Sequence, residues 1–586
     1  MKKIITMRHQ NIFFFIGVFA TLMMEGCSKG YLDRPPIASP TAGTFYKSDV
    51  DILNGTGPLY NGSWGGYNGT SLQYIGDIMG GNSLTDNYNG RGSYLSFTVT
   101  AQDPSGALQS AYQALWSVVA NANIVAHNIR GAGAGASAFA RSSGLAECYV
   151  MRAAAYYFIA LDWGAAPIIY DNSVQIGDQS IQRNTLADVW KFIISDLKWA
   201  ADHLGASPQQ PGRVTKWTAE GMLARAYLVR AGLGKTGGQR NQSDLDSAKY
   251  YAKDVCNNSG LTLLPSYYDL FTSAVFSGNK MPAECLLGLY WVPTGQWFVQ
   301  NHMQANLAYD SKITQTGDGW GGAFGASPSL LAYYLDPANA ADSVRRKATI
   351  FLPNTFYPDI NKAAGGWRVD TALFNGATNS VGGAKITAPI TTGTYYVNGD
   401  RAYVKKYVIG SPADNGGLGG QQNENISTYI FRLADVYLTY ADAILGNNAT
   451  TSDAEALKYF NAVRTRAGAA QKGSISYADI FLEKKIEFAF EGHAWYDWKQ
   501  WYYFDPAAAL NYFSTQNRGL YNITYNGGNS FVTWFDNTNS PASIGTRSYV
   551  ITPEKTDLPY PSSEVLVAPG LTKDPVAFDF SKLTYQ

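Results

Sequence analysis

Residues 145–167, which read LAECYVMRAAAYYFIALDWGAAP, carry the clearest structural pattern in the chain. Their apolar side chains recur at spacings of three and four residues, which predicts an amphipathic α-helix over Leu145–Trp163. Gly164 and Pro167 are typical helix-stop residues and end the pattern. The small side chains of Ala153–Ala155 would let a second helix approach closely. This stretch therefore predicts one helix of a closely packed helical array.

The same spacing recurs on both sides of this stretch. We predict further helices at Ala107–Ile129, Thr185–Leu204, Trp217–Gly232, Ser247–Ser259, Ser427–Leu445, Asp453–Gly468 and Tyr477–Phe490. Adjacent helices with Ala- and Tyr-rich faces resemble tetratricopeptide-type repeats. The predicted fold class is mostly α, a tetratricopeptide-like α-solenoid of helix pairs with long irregular loop insertions and a few short strands. The helical repeats would lie mainly at 105–275 and 427–490.

Two regions, at about 54–100 and 284–425, have a different texture, rich in Gly, Asn, Tyr and Trp. Within the second, Leu286–Trp291 and Tyr395–Tyr407 are predicted to contain strands. We interpret the rest of both regions, and the aromatic tail from Ala494, as irregular. Long loops inside a compact domain usually carry function. Both regions are therefore where we expect the function of the protein to lie.

The N-terminus has the pattern of an export signal. A basic start is followed by an apolar run at 11–24, and Gly26 stands directly before Cys27. This order predicts a signal peptide at 1–26 and a lipidated Cys27 at the mature N-terminus. Residues 27–40 would form a tether, and 41–586 a single domain. A lipid anchor holds a protein at a membrane without spanning it.

Composition narrows the possible partners and cofactors. The chain has 45 basic and 45 acidic residues, so nothing in its charge favours nucleic acid. Apart from Cys27, three widely spaced cysteines remain, which form neither a disulfide framework nor a zinc motif. No cofactor and no metal site is predicted. A structural Ca²⁺ near the Asp- and Asn-rich loops stays open, although EF-hand spacing is absent.

An ordered series of segments resembles one known family. The segments are CSKGYLDRP at 27–35, NANI at 121–124, ECYVMRAAAYYFIALDWGAAP at 147–167, GRVTKWTAEGMLARAY at 212–227, IFRLADVYLTYADA at 430–443, NAVRTRAG at 461–468 and EKKIEFAFEGHAWYD at 483–497. Together they resemble the SusD/RagB family of outer-membrane nutrient-binding lipoproteins from Bacteroidetes. His493 stands where the family usually has Arg.

The resemblance implies a function. Such a protein would capture a glycan or oligosaccharide at the cell exterior and deliver it to a TonB-dependent, SusC-like transporter in the outer membrane, without catalysis. The charged motif residues would be structural, because a buried charge must be paired. They are Arg152, Arg432, Asp435, Glu487 and Glu491.

The candidate ligand-binding residues follow from sugar chemistry. Pyranose faces stack on Trp and Tyr rings, and sugar hydroxyls pair with Asn, Asp, Gln and Arg side chains. In the first loop region the candidates are Trp64, Tyr67, Tyr74, Asn82, Asp86 and Tyr88. In the second they are Trp291, Trp297, Gln300, Trp320, Trp367 and Arg368. Trp320 in GDGWGG and Trp64 in GSWGG are the strongest, because glycines on both sides would let the backbone present the ring.

Two other classes of function remain open. A surface glycoside hydrolase needs two carboxylates across a cleft, and Asp86, Asp310 and Asp318 lie in suitable loops. A helical-repeat module for protein binding or adhesion would use a concave helix face instead.

Overall fold

The structure is a computed structural model that describes residues 45–85, 88–132, 135–175, 177–178, 180–276, 282–291, 301–320, 324–352, 354–369, 402–424, 426–519, 521–525, 531–534 and 547–585. The predicted signal peptide, Cys27 and the tether lie outside these residues. In the described part, no helix has both the length and the apolar character required to cross a bilayer.

Helices dominate the molecule. The longer ones are α1 (Asp49–Thr56), α2 (Ala107–Arg130), α3 (Ala138–Trp163), α4 (Leu186–His203), α5 (Lys216–Ala231), α6 (Gln242–Asn258), α7 (Pro328–Leu335), α8 (Leu433–Leu445), α9 (Ala454–Ala467), α10 (Tyr477–Glu487), α11 (Ala494–Phe504) and α12 (Pro506–Thr515). Shorter helices lie at Gly92–Leu95, Asn172–Gln175, Ser273–Phe276, Met303–Leu307, Ser311–Thr314, Ser343–Thr349 and Ser562–Val567.

The strands are short and pair antiparallel in twos. They are β1 (Ser83–Leu84), β2 (Cys285–Leu289), β3 (Gly325–Ala326), β4 (Ile350–Phe351), β5 (Phe356–Tyr357), β6 (Trp367–Arg368), β7 (Tyr403–Val404), β8 (Thr428–Arg432), β9 (Thr450–Thr451), β10 (Ile475–Ser476), β11 (Asn522–Tyr525) and β12 (Phe531–Trp534). The pairs are β1–β3, β2–β8, β4–β7, β5–β6, β9–β10 and β11–β12.

The long helices pack in sequence, as a solenoid requires. Helix α2 contacts α3, α3 contacts α4, α4 contacts α5, and α5 contacts α6. Helix α6 then contacts α8, so the second helical block continues the first across the intervening region. The predicted α-solenoid is confirmed, and the fold is mostly α.

Helix α3 shows why the opening stretch is helical. It begins seven residues before the predicted start, because the Ser137 hydroxyl accepts a hydrogen bond from the Ala140 backbone N–H and caps the helix. It ends at Trp163, where Gly164 adopts a positive φ of 72°. Nearly every residue from Ser143 onward is buried, since neighbours cover the helix on all sides.

Three sequence predictions of secondary structure are corrected. Ser427–Leu445 is not one helix, because Thr428–Arg432 forms β8 on β2 before α8 begins. The tail from Ala494 forms α11 and α12, and Trp495 and Trp498 of α11 stack on Phe513 of α12 in the core. The region at 54–100 is largely helical and includes a buried π-helical segment, Tyr67–Met79. The predicted strand in Tyr395–Tyr407 is Tyr403–Val404, and 395–401 lie outside the described residues.

Candidate functional site

The charged motif residues form buried ion pairs within the helical scaffold. The Arg152 guanidinium donates to both Asp196 carboxylate oxygens, at 2.8 and 2.7 Å, and to the Asn123 side chain at 2.6 Å. Its charge also lies over the rings of Tyr149 and Phe192. Both partners of the Arg152–Asp196 pair are almost fully buried. The prediction that Arg152 has a structural role is confirmed.

A second cluster joins β2, β8 and α10. Arg432 pairs with Glu284 at 2.7 Å, with Glu487 at 3.1 Å and with Glu491 at 2.7 Å. Burial by itself raises the pKa of the Glu487 carboxyl, but three arginines beside it lower that pKa to about 2. A carboxylate that is charged and saturated with cations cannot donate or accept protons near neutral pH. The interpretation of Glu487 and Glu491 as scaffold residues is therefore confirmed.

Five of the candidate ligand-binding residues lie in the core, so the expectation that they are exposed is wrong. These are Trp64, Tyr67, Tyr74, Asn82 and Trp291. Trp64 is 0% exposed, packs edge-on against Phe158, and donates its indole N–H to the Leu59 carbonyl at 3.0 Å. Its flanking Gly66 lies against α2, where a Cβ would come within 3.1 Å of the Ser110 carbonyl oxygen. Gly66 therefore allows α2 to pack closely at this point, and it does not serve to expose the Trp64 ring.

The other four have equally definite core contacts. The Tyr67 and Tyr496 hydroxyls are 2.6 Å apart. Tyr74 packs edge-on against Tyr94, with ring centroids 5.3 Å apart. The Asn82 side chain donates to the Lys485 carbonyl at 3.1 Å, and Trp291 donates to the Thr428 hydroxyl at 3.1 Å. Asp86, Trp297, Gln300 and the side chain of Tyr88 lie outside the described residues.

Trp320 differs from all of them. It is 48% exposed, and it is the one exposed tryptophan among those whose side chains are described. Its backbone is held firmly, because the Trp320 N–H donates to the Ala305 carbonyl at 2.9 Å. Gly319, at φ +127°, lies so close to Asp310 and Ser311 that a Cβ would be 2.4 Å from the Ser311 nitrogen. The fold therefore presents this ring to solvent on a fixed backbone.

A second aromatic group lies on the same loop. The Tyr309 and Tyr403 rings stack at 4.4 Å with an interplanar angle of 19°. Trp367 lies 6.3 Å from Tyr309, and all three rings are partly exposed. Gly319 packs on the backbone of Asp310 and Ser311, which directly follow Tyr309, so the segment that carries Trp320 lies against the segment that carries Tyr309. We call Trp320, Tyr309, Tyr403 and Trp367 the aromatic surface.

Arg368 follows Trp367 in β6, so its side chain lies on the other face of that strand. Its guanidinium donates to the Asn354 carbonyl at 2.7 Å and lies over the exposed Phe356 ring. A groove of about 520 Å³ runs beside it, lined by Phe356, Asn354 and Tyr268, among others. An arginine half-held by protein and half in solvent can still donate to a ligand hydroxyl.

Sequence reasoning missed Tyr309 and Tyr403. Tyr309 directly precedes Asp310, which was singled out as a carboxylate, and Tyr403 lies in a predicted strand. Both tyrosines lie in the loop region at 284–425, which was a signal that they could bind a ligand. Their stacking joins residues 94 positions apart in the chain, however, and local sequence does not show such a contact.

Comparison with known proteins agrees with this helical architecture. A model described as the SusD family matches residues 301–576, and one described as starch-binding, associating with outer membrane, matches residues 37–228. A SusD-like protein from Bacteroides ovatus is 36% identical over 574 residues, which cover 96% of this chain and 97% of that protein.

Solved structures show the same fold. One crystal structure is 35% identical, with a TM-score of 0.80 over 92% of this chain and 100% of that chain. A second, solved with a xylogluco-oligosaccharide, is 34% identical, with a TM-score of 0.76 over 90% of this chain and 99% of that chain. The protein belongs to the SusD family.

Proposed function

We propose that this protein binds an oligosaccharide at the outer surface of the cell and delivers it to a SusC-like, TonB-dependent transporter. The exposed Trp320 ring is the observation that carries the binding part. An indole on a fixed backbone offers the flat apolar face on which a sugar ring stacks. Because the fold already orders this segment, little conformational entropy is lost when the ligand binds.

The other rings of the aromatic surface favour an oligosaccharide as the ligand and not a monosaccharide. The segment that carries Trp320 packs against the segment that carries Tyr309, so an extended oligosaccharide could meet more than one of these aromatic rings. Arg368 would supply donors for hydroxyl groups of a ligand that extends to the Phe356 side of β6. The relative solved with a xylogluco-oligosaccharide covers 90% of this chain, which makes that class of oligosaccharide the first probe to test.

Binding without hydrolysis is the favoured activity. Hydrolysis needs two carboxyl groups within reach of one glycosidic bond. Asp310 caps a short helix by accepting from the Lys312 N–H, and Asp318 is 0% exposed. Neither is therefore placed as an acid or base on the aromatic surface. A test for new reducing ends after incubation with the oligosaccharide checks this point, and their appearance would favour the hydrolase.

Anchoring and delivery complete the proposal. The lipid on Cys27 would hold the domain at the outer membrane, and the helical scaffold would face the transporter. Membrane fractionation of Cys27→Ala tests the anchor, and co-purification of the transporter with the tagged protein tests delivery. A Cys27→Ala variant that stays with membranes would contradict the lipid anchor. A transporter that never co-purifies would contradict delivery.

Calorimetric titration with xylogluco-oligosaccharides and related β-glucan fragments tests binding. Trp320→Ala should weaken it at least about tenfold, or ~1.4 kcal/mol, because a stacked ring is a large part of a shallow sugar site. Tyr250→Ala is the matched control, since Tyr250 is 69% exposed but lies on α6, away from the aromatic surface. Equal affinity of the two variants would contradict the assignment of Trp320.

A further inference from the structure

The groove of about 520 Å³ beside Arg368 carries positive charge on its walls. It is lined by Arg346 and Lys347 of the short helix Ser343–Thr349, by Phe356 of β5 and by Tyr268. Both cations are half-buried, and the Phe356 ring is 38% exposed. We call this space the cationic groove.

The two cations of the groove differ from the arginine that directly precedes them. Arg345 is buried and meets three buried carboxylates, of which Asp342 is the nearest at 2.5 Å. Arg346 and Lys347 form no ion pair with a carboxylate of the described residues. The Arg346 guanidinium lies 3.5 Å from the Tyr334 carbonyl, which is a weak contact. The positive charges of Arg346 and Lys347 are therefore left for a ligand.

A buried lysine adds to the positive charge behind the groove. The Lys347 and Lys405 ammonium groups lie 5.1 and 5.2 Å from the centroid of the same Tyr268 ring. Burial lowers the pKa of Lys405 to about 8, the Asp359 carboxylate opposes this shift, and the Lys347 charge adds to it. The carboxylates near Tyr268 are Asp359 and Asp269. Together with Arg368 at the rim, four cations therefore stand against two carboxylates.

The cationic groove and the aromatic surface use the two faces of one hairpin, β5–β6. Phe356 pairs with Arg368 across this hairpin, and Tyr357 pairs with Trp367. Residues that pair directly point to the same face of a sheet, whereas neighbours along a strand point to opposite faces. Phe356 and Arg368 therefore lie on the groove side, and Trp367 lies on the side of the aromatic surface. A glycan that passes round the hairpin would meet both.

We propose that the cationic groove binds the negatively charged group of an acidic sugar, which is a uronate carboxylate or a sulfate ester. The planar guanidinium of Arg346 suits either group, because its paired N–H donors match two oxygens of one anion. The exposed Phe356 ring offers an apolar face to the sugar that carries the anion. The chain has equal numbers of basic and acidic residues, which disfavours an extended polyanion such as nucleic acid. The inference rests on the proposed function in one respect, namely that the ligand is a glycan.

The first experiment compares probes that differ in charge alone, by calorimetric titration of the mature chain. One pair is an oligogalacturonate and its methyl ester, and the other is a sulfated galactan oligosaccharide and its desulfated form. In at least one pair we expect the charged member to bind about tenfold more tightly or better. This preference should fall as NaCl rises from about 50 to about 500 mM, because salt screens partly exposed charges. The pair that shows it tells carboxylate from sulfate.

The outcomes separate this inference from the proposed function. If neutral xylogluco-oligosaccharides bind but neither charged probe binds more tightly than its neutral counterpart, the inference is overturned and the proposed function stands. If no oligosaccharide binds, neutral or charged, both are overturned.

The second experiment locates the preference with variants. Arg346→Gln combined with Lys347→Gln should bring the charged and neutral probes to within about twofold of each other. Its affinity for a neutral xylogluco-oligosaccharide should not change, which also shows that the variant is folded. Lys249→Gln combined with Lys253→Gln is the matched control, since it removes two positive charges from exposed positions of α6.

The control should keep the full preference for the charged probe. An equal loss in both double variants would mean that net charge and not the groove attracts the anion, and it would overturn the site. An unchanged preference in the groove variant would do the same. If the groove variant does not fold, Arg346→Gln alone decides, because Arg346 can be replaced without breaking an ion pair of the described residues. It should then weaken the charged probe several-fold and leave the neutral probe unaffected.

Discussion

The helical scaffold and the Trp320 loop solve the same electrostatic problem in opposite ways. In the scaffold, Arg152 and Arg432 are buried with carboxylates at 2.7–3.1 Å. In the loops, Asp318 and Glu424 are buried without an ion pair to a lysine or arginine of the described residues. Aromatic rings divide likewise, because the scaffold encloses Trp64 while the loop exposes Trp320. A region whose buried arginines are paired with carboxylates is built for stability, and a region with an exposed aromatic ring is built to bind.

Loss of the Arg152 pair should have the largest effect on stability. Arg152→Ala leaves the Asp196 carboxylate buried without its main cation, which typically costs about 3–5 kcal/mol of the free energy of unfolding. Chemical denaturation measures this. Arg130→Ala is the control, because Arg130 is partly exposed and lies 3.8 Å from its partner Asp171. A similar small loss in both variants, below about 1 kcal/mol, would contradict the stabilising role of burial.

The two tryptophans provide a direct comparison of the regions. Trp64→Ala should destabilise the protein by about 3–5 kcal/mol, because it leaves a cavity beside Phe158 and removes the hydrogen bond to Leu59. Trp320→Ala should change stability by less than about 0.5 kcal/mol. Thermal unfolding of both variants tests the pair. Equal destabilisation would mean that the Trp320 ring packs into the core.

This pair also shows what the sequence could predict. Helices α2 to α6 were predictable because an apolar stripe at 3.6-residue spacing is a local property. The pairing of Arg152 was predictable because a charge on a closely packed helix must be paired, but its partner Asp196 was not. The motifs around Trp64 and Trp320 look alike, and only contacts with distant residues separate them. Trp64 packs against Phe158 of α3, whereas the Trp320 side chain is largely exposed and only its backbone N–H is held, by the Ala305 carbonyl.

Long-range contacts also explain the misassigned regions. Tyr67–Met79 reads as a Gly- and Tyr-rich loop, yet it is a buried helix because Asp77 accepts hydrogen bonds from the Phe490 and Gly492 backbones, at 2.9 and 2.8 Å. Gly76 lies against Gly492, where a Cβ would come within 2.4 Å of backbone atoms. Composition alone describes such a segment as a loop, because the partner that orders it is four hundred residues away.

The stability of the scaffold should also depend on pH, because it buries His493 as a neutral imidazole. His493 is stacked on Phe488 in the core, and burial, with Arg225 beside it, lowers its pKa from 6.5 to about 4. Between pH 6.5 and pH 4 the unfolded chain therefore binds more protons than the folded one. The stability that His493 contributes is complete above pH 6.5 and is lost as the pH falls toward 4, by about 3 kcal/mol in all.

Comparison of the natural chain with His493→Gln isolates this contribution. Asp77 titrates in the same range, since burial raises its pKa to about 7, but with the opposite sign, and it is present in both chains. Subtraction of one stability–pH curve from the other therefore removes it. We expect the natural chain to lose more stability than His493→Gln between pH 6.5 and 4, as measured by urea unfolding. Parallel curves would mean that His493 titrates normally and that solvent reaches this part of the scaffold.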